Sequence, residues 1–169
     1  LGGGYSYAAK DQPEALDQRP LLERKDVLRF ATAPLQRTLE IAGPIAVQVV
    51  LAADVPDTTL VAKLVHVLPD GREILLREGI GMARFRDGFT APTPLPQDVG
   101  VRWTIPIPDL GAEFVAGGRI ALYLTSSSHP AFEVHPNTWD PAAGPQQQRI
   151  ARLRLDCASS RLVLPVFGD

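Results

Sequence analysis

The chain has 169 residues, a formal charge of −2, 45% hydrophobic and 21% charged residues, one cysteine, sixteen prolines and fourteen glycines. That length suits one domain, which buries about 70% of its unfolded surface, and the near-neutral charge excludes broad electrostatic binding to nucleic acid or to an anionic membrane. A lone Cys157 excludes an intrachain disulfide, no apolar run approaches the roughly 18 residues of a membrane helix, and dense Pro and Gly favour many short strands over long helices.

The start at Leu1 rather than Met implies a piece of something longer, and no basic start followed by an apolar middle marks a signal peptide. The compartment is left open, leaning to the cytoplasm. Residues 1–17 show no sustained period and read as a linker or N-terminal arm that Tyr5 and Tyr7 could anchor, with one domain over 18–169. Pro20 suits the first turn of a short helical segment at Leu21–Lys25, and Val27–Thr32 reads as a short strand. Leu39–Ala52 is a strong strand with Ile45, Val47, Val49 and Leu51 on one face. Leu60–Leu68 is apolar on both faces apart from Lys63 and His66, so it belongs in the middle of a sheet. Pro69-Asp70-Gly71-Arg72 then turns the chain into a hairpin with Ile74–Arg77.

Ile80–Phe85 reads as a further strand, with Gly79 and Gly81 allowing a bulge or bend. Asp87–Val99 carries Pro92, Pro94 and Pro96 and must be a surface connection. Arg102–Pro108 alternates, placing Trp103, Ile105 and Ile107 inward, and Ile120, Leu122 and Leu124 share a face of the next strand. Ser126–Gln148 is a long polar loop holding His129, Phe132, His135 and Trp139; loops of that length in a compact domain are functional or disordered. Ile150–Leu155 has a half-exposed edge pattern and Arg161–Val166 closes the chain as the last strand. The sum is an all-β fold, an antiparallel β-sandwich of about eight strands with the jelly roll, galactose-binding-domain-like, as its topology.

No catalytic apparatus is visible. Gly-x-Ser-x-Gly is absent, and the adjacent Ser128-His129 reads as polar loop, since triads are assembled by folding and not by adjacency. His129, Glu133 and His135 share one loop but lack further metal-ligand spacing, so no metal is expected. His66 reads as a hydrogen-bonded core histidine, Asp54, Asp57 and Asp70 as turn residues, and Arg84 and Arg86 as a solvated strand face. Gly2-Gly3-Gly4 lacks the Lys and Ser/Thr of a phosphate loop, and no cofactor is implied.

Ordered blocks carry a resemblance: Asp17–Leu28, Gly43-Pro44, Ala53–Val67, Pro69–Arg72, Gly79-Ile80 with Arg84-Phe85-Arg86, Phe114 through Ile120, Ser126–Pro130, Pro136-Asn137-Thr138 and Ser160–Val166. Together they resemble the C-terminal domain of the CocE/NonD hydrolases, which are related to X-Pro dipeptidyl-peptidases. The resemblance implies a non-catalytic jelly roll packed on an α/β-hydrolase catalytic domain of the same polypeptide, where the catalytic serine, aspartate and histidine reside. It further implies that the turn matching Asp57–Leu60 reaches the substrate cleft, a role carried onto Thr59 and Leu60. Asp57, His129, Phe132 and Trp139 complete the expected pocket or domain-interface residues. The family's acidic–aromatic pair is Thr59-Leu60 here, its Gly-His-Arg turn is Gly117-Gly118-Arg119, and an aromatic and an arginine are missing from Ser127–Ala131. These departures alter pocket shape and polarity. Two other readings stand beside this one: a carbohydrate- or ligand-binding module using Trp103, Tyr123 or Trp139 as stacking platforms, and an interaction domain that forms a homo-oligomer through an apolar patch.

Overall fold

The computed structural model describes residues 17–140 and 142–167. The arm expected before residue 17, with Tyr5 and Tyr7, therefore lies outside the described residues, as does the Gly2–Gly4 run. Among the described residues nine strands run β1 (Val27–Ala31), β2 (Leu39–Ala53), β3 (Thr59–Val67), β4 (Glu73–Met82), β5 (Val101–Phe114), β6 (Arg119–Thr125), β7 (Leu153–Leu155), β8 (Arg161–Val163) and β9 (Val166–Phe167). Short 3-10 turns occur at Arg19–Glu23, Ala83–Phe85 and Pro145–Gln147. No helix among the described residues is long and apolar enough to cross a membrane.

Two antiparallel sheets face each other. One has the order β1-β6-β3-β4; in the other, β2 pairs with β5 along one side and with β7, β8 and β9 in succession along the other. The period-2 pattern of β2 and β5 drives this. Ile45, Val47, Val49 and Leu51 alternate inward opposite Trp103, Ile105 and Ile107, and every one of these is buried. Leu60, Ala62 and Leu64 of β3 and Ile120, Leu122 and Leu124 of β6 supply the facing side of the core. β3 lies between β6 and β4 and is buried on both faces, as its largely apolar composition, broken only by Thr59, Lys63 and His66, leads one to expect. Its outer face carries a second cluster, Val65, Val67, Ala121 and Tyr123.

The Pro69–Arg72 hairpin forms as expected: Gly71 takes φ 87°, and Leu68 N–H bonds to Arg72 O at 2.8 Å. The two short strands expected at Ile74–Arg77 and Ile80–Phe85 are instead one, β4, which ends at Met82, with the offset taken up by a register shift between Leu64 and Val65. Gly79 and Gly81 do not bend it. They let β4 come against β5: a Cβ on Gly79 would press into the Pro106 carbonyl, and one on Gly81 would sit 2.9 Å from Trp103 Cζ2. This closes the sandwich along one side. Among the described residues the opposite side, between β1 and β7–β8, is open.

His66 is buried, 7% exposed, and packs edge-on against Phe114 with ring centroids 5.1 Å apart. The expected hydrogen bond is not made at Nε2, which has no partner among the described residues. Burial therefore lowers the imidazole's pKa, opposed in part by Glu113. A folded-state value below the unfolded value of about 6.5 means the unfolded chain binds the proton first, so stability falls as pH drops through that range. His66→Leu should flatten the decline of unfolding free energy between pH 7.5 and 5 in urea titrations; an unchanged slope would assign it to other groups.

Candidate functional site

The turn between β2 and β3 begins Asp54-Val55-Pro56-Asp57-Thr58 and is interior. Asp57 and Thr58 are 0% exposed, Thr59 5% and Leu60 4%, so none of them presents a side chain outward on this chain. Asp57 is a buried charge and not a surface turn residue. Its Oδ1 accepts the Arg84 amide N–H at 2.9 Å and its Oδ2 accepts Arg84 Nε. The local pattern Arg84-Phe85-Arg86 thus misleads. Met82 ends the strand, the next three residues form a 3-10 turn, and that turn swings Arg84 inward to 8% exposure. An isolated buried carboxylate is costly, and the guanidinium supplies the compensating charge.

One loop residue, His135, also closes on the same carboxylate. Nδ1 of His135 accepts the backbone N–H of Asn137 at 3.0 Å, which leaves the imidazole proton on Nε2, 3.0 Å from Asp57 Oδ2. That contact is bent away from an aligned hydrogen bond. Burial pushes the Asp57 carboxyl up, but His135 and Arg84 outweigh it and hold the group below the usual carboxylate range. Thr58 donates to Asn137 Oδ1 at 2.8 Å, and Asn137 Nδ2 donates to Arg149 O at 2.8 Å. Asn137 itself sits at φ 59°, a conformation asparagine tolerates better than most residues. Arg84 Nη2 donates to the Trp139 carbonyl, and the guanidinium carbon lies 4.4 Å from the Trp139 ring centroid.

A second set of bonds pins the start of the loop. Thr59 donates to Ser126 O at 2.9 Å, Arg24 to Ser127 Oγ at 3.0 Å, and Lys63 to Ser128 Oγ at 3.0 Å. Lys63 is also paired with Glu78 at 2.6 Å on the outer face of β3. Between the two anchors, residues 129–134 reach the surface, with His129 and Val134 exposed and Phe132 half-buried. Phe132, Glu133 and Val134 wall a groove of about 480 Å³ floored by Thr59, Met82 and Trp103 and flanked by Phe85 and Phe89. Phe89 is 85% exposed and lies 5.5 Å from the Phe85 ring.

Of the residues chosen from sequence, Asp57, Thr59, Phe132 and Trp139 gather around this loop, the first two beneath it. Leu60 points instead into the core and a separate cavity on the open side of the sandwich. His129 is exposed and makes no ion pair among the described residues. Residues left out of that choice are Arg84, read as a solvated strand face, His135, weighed only as a metal ligand, and Asn137, which build the anchor, and Phe89 and Val134, which enlarge the apolar surface. Trp103 and Tyr123 are buried, at 2% and 0% exposure, and cannot serve as sugar platforms; Trp139 has Arg84 against its ring. No group of three His, Cys, Asp or Glu among the described residues is placed to hold a metal ion.

The chain matches known proteins over most of its length. The family model described as the X-Pro dipeptidyl-peptidase C-terminal non-catalytic domain matches residues 3–154. Cocaine esterase of Rhodococcus sp. (strain MB1 Bresler) is 33% identical over 152 residues, covering 89% of this chain and 26% of the relative. Among solved structures, an α-amino acid ester hydrolase superposes with TM-score 0.84 at 30% identity, covering 89% of this chain and 27% of its own. An aminopeptidase from a marine-sediment Thaumarchaeota archaeon gives TM-score 0.83 at 28% identity, covering 90% and 27%. The chain thus spans about a quarter of the length of these relatives. With its antiparallel sandwich and the match over residues 3–154, the chain belongs to the family of X-Pro dipeptidyl-peptidase C-terminal non-catalytic domains found in CocE/NonD-type hydrolases.

Proposed function

We propose that this chain is the accessory domain of a larger serine hydrolase, packing on an α/β-hydrolase catalytic domain and forming part of one wall of its substrate cleft. The observation that carries this reading is the doubly anchored loop 126–140. A buried ionic network is an expensive way to hold a surface loop, and its effect is to fix Phe132 and Val134 in position beside Phe89, with Trp139 held against Arg84. Rigid scaffolds that present a fixed loop are suited to shaping a neighbour's binding site. The role expected of Thr59 and Leu60 is then indirect. Thr59 floors the groove and pins Ser126, while Leu60 sets the depth of the core behind it. Acyl esters, amides, β-lactam side chains and X-Pro peptides are the substrates of the family that the chain resembles.

The chain by itself should hydrolyse nothing. Incubation with nitrophenyl esters and an X-Pro anilide should give rates equal to buffer, and treatment with a serine-directed phosphonate should leave its mass unchanged. Turnover abolished by that phosphonate would overturn the reading.

A further inference from the structure

The four margins of the two sheets are not treated alike. β5 carries Pro106 and Pro108, which cannot donate to an added strand. The margin beyond β2 is broken into pieces of three, three and two residues. β4 is shifted in register, packed on β5 and bridged by Asp17 at Ile74. β1 has none of these devices. It is a regular five-residue strand, Val-Leu-Arg-Phe-Ala, in unbroken register with β6, and among the described residues it has no partner on its other side. An unblocked, apolar edge is a hazard in a protein that leaves it bare.

The inner face behind this edge is open as well. Leu28 is 48% exposed and Phe30 36%, although both point toward the core side. Beside them run two cavities of about 270 and 300 Å³, which share Leu124 and Leu155 and reach the core residues Val47, Val49 and Leu51. The rim carries Lys25, Arg152 and Arg161. None of the three is in an ion pair among the described residues, and Asp26, the one carboxylate lining the cavities, is closed on Arg24 at 2.6 Å, while Asp54 accepts the Arg152 backbone N–H.

We infer that an extended segment of the hydrolase polypeptide outside this chain adds to β1 as a further strand, placing alternate apolar side chains in the two cavities and acidic residues against Lys25, Arg152 and Arg161. This rests on the accessory-domain reading, in which about three quarters of the polypeptide lies elsewhere, as it does in the relatives. Backbone pairing supplies the affinity of such an added strand, and the side-chain pockets on one face supply its register.

Amide hydrogen exchange read by mass spectrometry, on this chain alone and on the intact hydrolase, tests the inference. In the chain alone, the amides of β1 not bonded to β6 should exchange fast; in the intact hydrolase they should slow by about 100-fold or more. Leu28→Asp should restore fast exchange in the intact protein while leaving the melting temperature of the isolated chain unchanged. Slowing confined to the groove around Phe89 and Phe132, with β1 unchanged, would overturn this inference and leave the accessory-domain reading standing. No slowing anywhere in the domain would overturn both. Slowing of β1 in the isolated chain that grows with its concentration would assign the edge to a second copy and overturn the inference.

Discussion

Replacing Asp57 by alanine should lower the unfolding free energy by about 3–5 kcal/mol, measured by urea denaturation near neutral pH. The substitution leaves the Arg84 guanidinium in a site where its side chain is only 9% exposed, facing no counter-charge. It also frees His135 Nε2 and removes the acceptor for the Arg84 amide. The double variant Asp57→Asn with Arg84→Met should be less damaging than Asp57→Ala, because no uncompensated charge remains. Acid titration gives an independent readout. Asp57's folded pKa lies below its unfolded value of about 3.9, so its stabilisation is complete above that pH and is lost as pH falls through the folded value. Asp57→Asn should remove that part of the acid limb. A loss under about 1 kcal/mol for Asp57→Ala would place the pair at the level of a surface ion pair and take away the argument that it fixes the loop.

Much of the sandwich is readable in the sequence because its signals are local. The alternation in Arg102–Pro108 and in Ile45–Leu51 specifies which side chains face inward, and Leu60–Leu68 announces a central strand by being apolar on both faces. What failed was whatever depended on a partner far along the chain. Arg84 lies 27 positions from Asp57 and Thr58 lies 79 from Asn137, and nothing beside either residue marks the pairing. Gly79 reads as a place for a bulge or bend because glycine weakens strands, yet its use here is to admit another backbone, which only the folded state displays. The family resemblance reached further than periodicity did. Three of its blocks, Ala53–Val67, Arg84–Arg86 and Pro136–Thr138, supply Asp57, Thr58, Arg84 and Asn137, and the fold brings these to one point. The turn expected to reach a cleft is therefore the buried base on which an outward-facing loop is fastened.

The closed side of the sandwich makes the second large effect. Gly79→Ala should destabilise the domain by about 3 kcal/mol or more, at or beyond the upper range for overpacked cores. The new methyl group would meet the Pro106 carbonyl group, with its carbon 2.9 Å away and Ile107 Cα 3.0 Å away. These are backbone atoms in the middle of the long β2–β5 ladder, so no side chain can rotate aside to make room. Relief requires β4 and β5 to separate, which also lifts Met82 and Trp103 apart beneath the groove. Gly111, a glycine of the same strand as Pro106 with nothing within 4 Å of its would-be Cβ, is the control. Gly111→Ala should be neutral or slightly stabilising, because it reduces the freedom of the unfolded chain. Equal urea midpoints for the two variants would mean that β4 and β5 are not held in contact in solution, and that the sandwich opens on both sides.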